Sequence, residues 1–377
     1  MSKGGMNKGD INKGDINKAD KNKAGMNKEF REKNANNLKL LGMFAVSFAV
    51  LTVATGGKFF SAGQMKLIAY LFPEMGVLSL GMMLAMISGG IDLTVVAVAD
   101  LSGILCCMML KAVMPNDASL PVQILVLLLV VAVGLVIGGL CGAFSGTLIS
   151  RIGIPAMVAT LGASDIILGL AVGITNGSSV KELPPILNGV VSYRLFDAIP
   201  ASTIIFAVCA GAVAFILNKT SLGFKIYMIG SNKTATRYSG IDDKKTITLT
   251  YMISGMLSSV SGLLMCGHFN SARSDFGKSY LTPAILICVL AGVSPNGGKG
   301  KAAGMVIAVV ILQTLSSGFS MFQNISDYYK NLIWGLVLIL VMIINVTSER
   351  RKARGCFNGS LEDASGTDQV RCGEGDI

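Results

Sequence analysis

Histidine is almost absent from this sequence, and its scarcity removes much of the usual catalytic chemistry. His268 is the only one. With no partner imidazole, a zinc site would have to come from cysteine, yet the eight cysteines include no Cys-x-x-Cys pair. Cys106, Cys107, Cys141, Cys209, Cys266 and Cys288 lie within or beside apolar runs, where the thiol behaves as a small hydrophobe. Neither a disulfide framework nor a metal site is expected. Gly-x-Ser-x-Gly, His-Glu-x-x-His, a Walker loop and a helix-opening Gly-x-Gly-x-x-Gly are also missing, which argues against a hydrolase or a nucleotide-binding domain. Gly297-Gly298-Lys299-Gly300-Lys301 superficially suggests a phosphate loop but lacks its spacing and preceding strand, so a tight glycine turn is expected there.

Charge is scarce too. Only 14% of residues are charged against 52% hydrophobic, and the mean hydropathy is +0.62. This composition excludes an ordinary soluble domain of 377 residues and points to a chain that crosses a membrane repeatedly. Short alternating segments are absent, which argues against an outer-membrane barrel. The formal charge of +10 is carried by residues flanking apolar runs and lacks a basic patch with interleaved aromatics, so nucleic acid is not expected as a partner.

What the sequence does contain is a series of apolar runs at about 38–57, 64–87, 93–113, 120–148, 154–174, 201–218, 246–267, 280–293, 301–320 and 330–346. Each approaches the roughly 20 residues a helix needs to cross about 30 Å of hydrocarbon. The expected fold is therefore all-α: a polytopic helical membrane protein with about ten spans. A short run at 280–293 and a long one at 120–148 allow eight or nine. With the N-terminus inside, only eight of the 32 Lys and Arg fall on the outer side, so both termini are expected in the cytoplasm.

Three regions follow. Residues 1–37 repeat an Asn-Lys pentad and read as a disordered basic tail; 38–346 form the membrane domain; 347–377 form a cytoplasmic tail. Within the membrane domain, Lys219 to Lys245 is the longest interior stretch unsuited to lipid, and charge places it in the cytoplasm. Ser231 or Asn232 is suited to cap a short helix over Lys233 to Ser239, and Gly240 to end it in the left-handed region. Such a two-turn element would present Ala235, Tyr238 and Ile241 rimmed by Lys233 and Arg237. On these residues alone, a partner-docking surface and a solvated loop stand level.

Acidic residues inside spans are the candidates for a pathway, because a carboxylate at the bilayer centre costs about 2.5–3.5 kcal/mol even on a lenient scale. They are Glu74, Asp92, Asp100 and Asp165. Asp92, after the break at Gly89-Gly90, is expected to cap the next helix through the Val95 N–H; Asp165 is expected to make an interior polar contact. Gly134, Gly138, Gly142 and Gly146 share one helix face, as do Ser254, Ser258 and Gly262, and both sets suit close packing.

Gly89-Gly90-Ile91-Asp92-Leu93-Thr94, Ile154-Pro155-Ala156-Met157-Val158-Ala159-Thr160-Leu161-Gly162, Ile229-Gly230-Ser231-Asn232 through Ser239-Gly240-Ile241, and Gly297-Gly298-Lys299-Gly300 occur in this order. Together they resemble the permease subunits of ribose-type monosaccharide ABC importers, a broad family that includes autoinducer-2 permeases and, more distantly, nucleoside and branched-chain amino-acid permeases, so autoinducer 2, a nucleoside or another small polar solute is the alternative cargo. The resemblance covers about residues 40–346. It implies a cytoplasmic-membrane permease that binds no cofactor itself, while partner ATPase subunits use ATP and magnesium. Also implied are a second permease copy or sister permease and an extracytoplasmic substrate-binding protein. Residues 231–241 would be the ATPase-coupling segment, centred on Ser231, Asn232, Ala235, Arg237, Tyr238, Gly240 and Ile241. Gly89, Gly90, Asp92, Thr160 and Asp165 are the pathway or helix-break candidates. The chain departs from the family pattern at Leu281-Thr282-Pro283 after Tyr280, at Ala291-Gly292-Val293-Ser294 and at Ala235-Thr236. A secondary transporter using Asp165 as its proton carrier is the competing class.

Overall fold

The computed structural model describes residues 40–42, 44–45, 48–115, 119–195, 199–322, 329–343 and 347. The two terminal tails, residues 1–37 and nearly all of 347–377, lie outside the described residues, as does part of the first apolar run.

Long apolar segments with no outlet for their backbone groups must close them internally, and helices do so. In chain order these are α1 (Ala62–Ile87), α2 (Thr94–Val113), α3 (Leu120–Thr147, prolonged by a π turn over Leu148–Ile152) and α4 (Ala156–Thr175). Then come α5 (Pro185–Ser192), α6 (Ala201–Lys219), α7 (Ser221–Ser231), α8 (Lys233–Tyr238) and α9 (Asp243–Phe269). α10 (Leu281–Leu290) follows a 3-10 turn at Phe276–Tyr280, then α11 (Ala302–Phe319) and α12 (Tyr329–Ile343). A small antiparallel hairpin, β1 (Arg194–Leu195) with β2 (Ile199–Pro200), interrupts the helical order between α5 and α6. The chain is thus an all-α polytopic membrane protein. Among the described residues seven helices are long and apolar enough to cross a membrane, and Phe276–Leu290 and Tyr329–Ile343 are shorter apolar helices.

The bundle is arranged around α9, which packs against α3, α1 and α2. Its sequence permits this because small residues recur on more than one face. Toward α3, a Cβ on Gly138 would strike the Gly255 carbonyl and one on Gly142 the Tyr251 carbonyl, while one on Gly146 would press on Thr248. The expected glycine stripe is therefore a backbone-to-backbone contact. The second expected set faces elsewhere: Ser254 bonds Asp92 at the start of α2, and Gly262 lies against the Ala99 carbonyl. In lipid, where apolar burial gives little preference between helices, such close approach supplies the dispersion contacts that hold them.

Helices α3, α4 and α6 lie on the outside of the bundle and expose apolar faces, as at Leu125 and Val136 on α3 and Val208 and Phe215 on α6. These are the surfaces a bilayer would solvate. α1, by contrast, is enclosed along most of its length, and its lower two-thirds is buried without interruption from Phe72 to Ile87.

Candidate functional site

One end of the bundle gathers three of the sequence motifs. The Ile87 carbonyl accepts the Gly298 N–H at 2.9 Å, joining the end of α1 to the glycine turn before α11. A Cβ on Gly297 would lie 2.8 Å from the α-carbons of both Gly230 and Gly89, so the three segments touch through bare backbone. Gly89, Gly297 and Gly298 hold φ of 89°, 93° and 74°, values that side chains disfavour. The Tyr227 hydroxyl donates to the Gly300 carbonyl at 2.7 Å, and buried Ile226 and Ile229 fix the rest of α7 against the bundle. The helix break, the polar loop and the glycine turn thus form one junction.

From this junction α8 projects outward. Asn232 adopts an extended N-cap conformation and its side chain accepts the Ala235 N–H at 2.9 Å, as its position in the sequence predicts. Gly240 follows with φ of 77°. The element is shorter than two turns, six residues, because the Ser239 N–H already closes onto Ala235 and Arg237. Ser231, Asn232, Ala235, Arg237 and Tyr238 are exposed, Tyr238 by 89%, whereas Ile241 is half-buried. Thr236 is the anchor that sequence reasoning missed: it is fully buried, with its hydroxyl donating to the Asn232 carbonyl at 2.7 Å. Lys233, Thr234, Arg237, Tyr238 and Asp243 line an open hollow of about 540 Å³ between α8 and the start of α9. Asp242 caps α9 by accepting the Lys245 N–H at 3.0 Å, and that bond holds its carboxyl below the usual carboxylate range, with the Lys245 ammonium adding to the effect.

Behind the junction, Asp92 is buried and differs from expectation. Its carboxylate takes the Thr94 N–H at 3.0 Å, not that of Val95, and its second oxygen accepts the Ser254 hydroxyl at 2.8 Å. The shorter local loop arises because Leu93 already has helical dihedrals, which moves the helix start past the position a capping Asp would occupy. Asp92 therefore ties the helix break to α9. Thr160, also fully buried, places its hydroxyl 3.0 Å from the Ile91 carbonyl and 2.9 Å from that of Ala156, which fixes α4 to the same break. Gly90 gives room to the Tyr251 hydroxyl, which is buried with no hydrogen-bond partner among the described residues.

Among the described residues Asp165 makes no hydrogen bond or ion pair. It lies on the exposed face of α4, away from the α2 face filled by Ala159, Ala163 and Ile167. The sequence reading erred because the 3.6-residue period does not say which side of a nearly uniform apolar helix meets the bundle.

A second polar cluster was visible in the sequence only as isolated residues. The Glu74 carboxylate meets His268 Nδ1 at 2.6 Å and accepts the Tyr280 hydroxyl, while Ser261 donates to the Glu74 carbonyl at 2.7 Å. The Tyr70 ring lies 4.1 Å from the His268 ring. Asp100 similarly accepts the Gly277 N–H at 3.0 Å. These are internal ties between α1, α2, α9 and the turn before α10. Among the described residues no group of three or more His, Cys, Asp or Glu is placed to hold a metal.

Residues 64–342 match the family described as branched-chain amino acid transport system / permease component. The autoinducer 2 import system permease protein LsrD of Yersinia enterocolitica is 30% identical over 274 residues, covering 71% of this chain and 79% of the relative. The protein of the same description from Yersinia pestis is 28% identical over 274 residues, covering 71% and 78%. No solved structure matches the chain.

Proposed function

The chain belongs to the branched-chain amino acid transport system / permease component family, and from that footing we propose that it is the permease subunit of an ATP-driven importer for a small sugar-like solute. As a multi-pass protein of the cytoplasmic membrane, it supplies the path, while hydrolysis of ATP with magnesium takes place in separate cytoplasmic subunits. A ribose-like monosaccharide is one cargo that fits this reading; the autoinducer 2 named for its Yersinia relatives is the other.

The observation that carries the proposal is α8. A six-residue helix, capped at Asn232, pinned by buried Thr236 and seated on the glycine junction, stands out from the bundle with Tyr238 almost fully exposed. An exposed aromatic beside Lys233 and Arg237 and an open hollow suits a protein groove better than solvent. The junction also joins α8 to the ends of α1 and α11 and to the break before α2, so a push on α8 has a rigid route into the spans. Two ATPase subunits would engage α8 of this chain and of a second permease, either a copy or a sister, and an extracytoplasmic binding protein would deliver cargo to the opposite face.

Replacing Ala235 with Arg tests this. Ala235 is exposed, so the helices should insert normally, while copurification of ATPase subunits and uptake into vesicles both fall by about tenfold or more. Normal uptake with that bulky charge in place would remove the assignment, as would uptake that persists without ATP and collapses with an ion gradient.

A further inference from the structure

The location of Asp165 is at odds with a helix that faces lipid. α4 has 20 residues and Asp165 is the tenth, which puts its carboxyl group at mid-depth of any bilayer the helix crosses. The side chain is exposed on the protomer, and it makes no hydrogen bond or ion pair among the described residues. The other acidic groups of the membrane helices differ: Glu74 and Asp100 are buried and accept hydrogen bonds, as does Asp92 at the helix break. The outward faces of α3, α6 and α12 carry only apolar residues at mid-helix, such as Val136, Val208 and Leu336. Among the described residues, Asp165 is the one ionisable side chain exposed in the middle of a span.

Its surroundings are open. Gly162, Gly169 and Gly173 lie on the same side of α4, and a Cβ built on any of them would meet nothing within 4 Å. The opposite side of the helix is firmly held, with Thr160 on the Ile91 carbonyl and Ala159, Ala163, Ile167 and Ala171 buried against the bundle. The direction of Asp165 is therefore fixed by packing. A carboxyl group at this depth requires water or polar partners, since hydrocarbon can satisfy neither its charge nor its hydrogen-bonding capacity.

We propose that the exposed face of α4 lines a water-filled passage between permeases and that Asp165 is a hydrogen-bonding contact there for a neutral, polyhydroxylated solute. This rests on the importer reading above and narrows its substrate. The carboxyl oxygens accept hydrogen bonds from hydroxyl groups. They also repel a second carboxylate, and this face of α4 carries no Lys, Arg or His to answer one. An amino acid would have its ammonium answered by Asp165 but its carboxylate left without a cation on this face, so it fits this surface less well than a solute with no charge to leave unpaired, although the family description names one. A sugar or another neutral polyol fits it well. The glycines beside Asp165 leave space for a ring rather than for a packed side chain.

The test uses the complete complex of permease, ATPase and binding protein in proteoliposomes. In Asp165→Cys, an anionic, membrane-impermeant methanethiosulfonate should label position 165 about tenfold or more faster than position 136 in Val136→Cys, above the background of the native cysteines. Equal, slow labelling at both would overturn the passage. For transport, labelled ribose, autoinducer 2 and L-leucine are the probes. Asp165→Leu should lower uptake of the polyol that the wild type carries by about twentyfold or more, and Asp165→Asn by about threefold, with ATPase copurification unchanged in both. Wild-type uptake rates in Asp165→Leu, or a wild type that carries leucine and neither ribose nor autoinducer 2, would overturn the polyol contact. Absence of a copurifying ATPase would sink the importer reading instead, and labelling at position 165 would still report on the passage.

Discussion

Glu74 and His268 are 194 residues apart in the chain, yet the Glu74 carboxylate lies 2.6 Å from His268 Nδ1, with both side chains almost completely buried. Glu74 also accepts the Tyr280 hydroxyl, so one carboxylate joins α1, the end of α9 and the turn leading into α10. A buried group of this kind contributes less through its own bonds than through what its removal leaves unpaired.

Glu74→Leu is therefore expected to destabilise the purified permease by about 2–5 kcal/mol, since the Tyr280 hydroxyl and the His268 ring both lose their partner. Glu74→Gln, which keeps an acceptor for Tyr280, should cost less. Thermal unfolding in detergent measures both, and a double-mutant cycle with His268→Phe should return a coupling energy of about 0.5–3 kcal/mol. Additive effects would mean that the two side chains do not share one network.

Asp92 and Ser254 make a second cross-helix tie, at 2.8 Å. Ser254→Ala removes one of the donors on Asp92 and leaves the Thr94 N–H and hydroxyl in place, so a loss of about 1–2 kcal/mol is expected. Asp92→Ala strips all of them and should cost more, besides loosening the break between α1 and α2. A Ser254→Ala variant as destabilised as Asp92→Ala would place the important contact at Ser254 itself.

The membrane-embedded helices were legible because lipid leaves the backbone few alternatives, and the Asn232 cap and the Gly240 terminator because they are local. The junction of Gly89, Gly230 and Gly297 was not. Each glycine looked like an ordinary turn residue, and only the fold brings segments about 70–210 residues apart into contact. The same applies to His268, which read as an isolated residue until α9 placed it on Glu74. Asp165 failed for a different reason. Its apolar neighbours on both sides of α4 hide which face is outward, and in a membrane both faces are apolar by composition.

The stripe on α3 gives a sharper packing test. Gly142→Leu forces a side chain into the Tyr251 carbonyl and should cost at least the roughly 1–3 kcal/mol of an overpacked core, with lower yield of folded protein. Gly211→Leu is the control, because a Cβ there meets nothing within 4 Å. Comparable melting temperatures for the two would show that α3 and α9 are not in backbone contact.

Asp242 supplies a pH test at the root of α8. It accepts the Lys245 N–H and lies 3.4 Å from the Lys245 ammonium, and these interactions favour its ionised form. A carboxyl whose pKa is lowered by folding stabilises the folded form above its unfolded pKa and ceases to do so as the pH falls through the lower, folded value. The cap should therefore be intact at neutral pH and weaken below about pH 4. Asp242→Asn keeps an oxygen for the Lys245 N–H and removes the titration, so its first turn of α9 should be equally protected on both sides of that pH; Asp242→Ala should be frayed throughout. Hydrogen exchange at Lys245 and Thr246, read as the ratio of wild type to the Asn variant at each pH, isolates the effect from the intrinsic dependence of exchange on acidity. A flat ratio from neutral pH to well below pH 4 would show that ionised Asp242 does not hold the start of α9. The tie between α8 and α9 would then rest on the Lys233–Asp243 pair and on the Ile241 N–H donating to the Thr236 carbonyl.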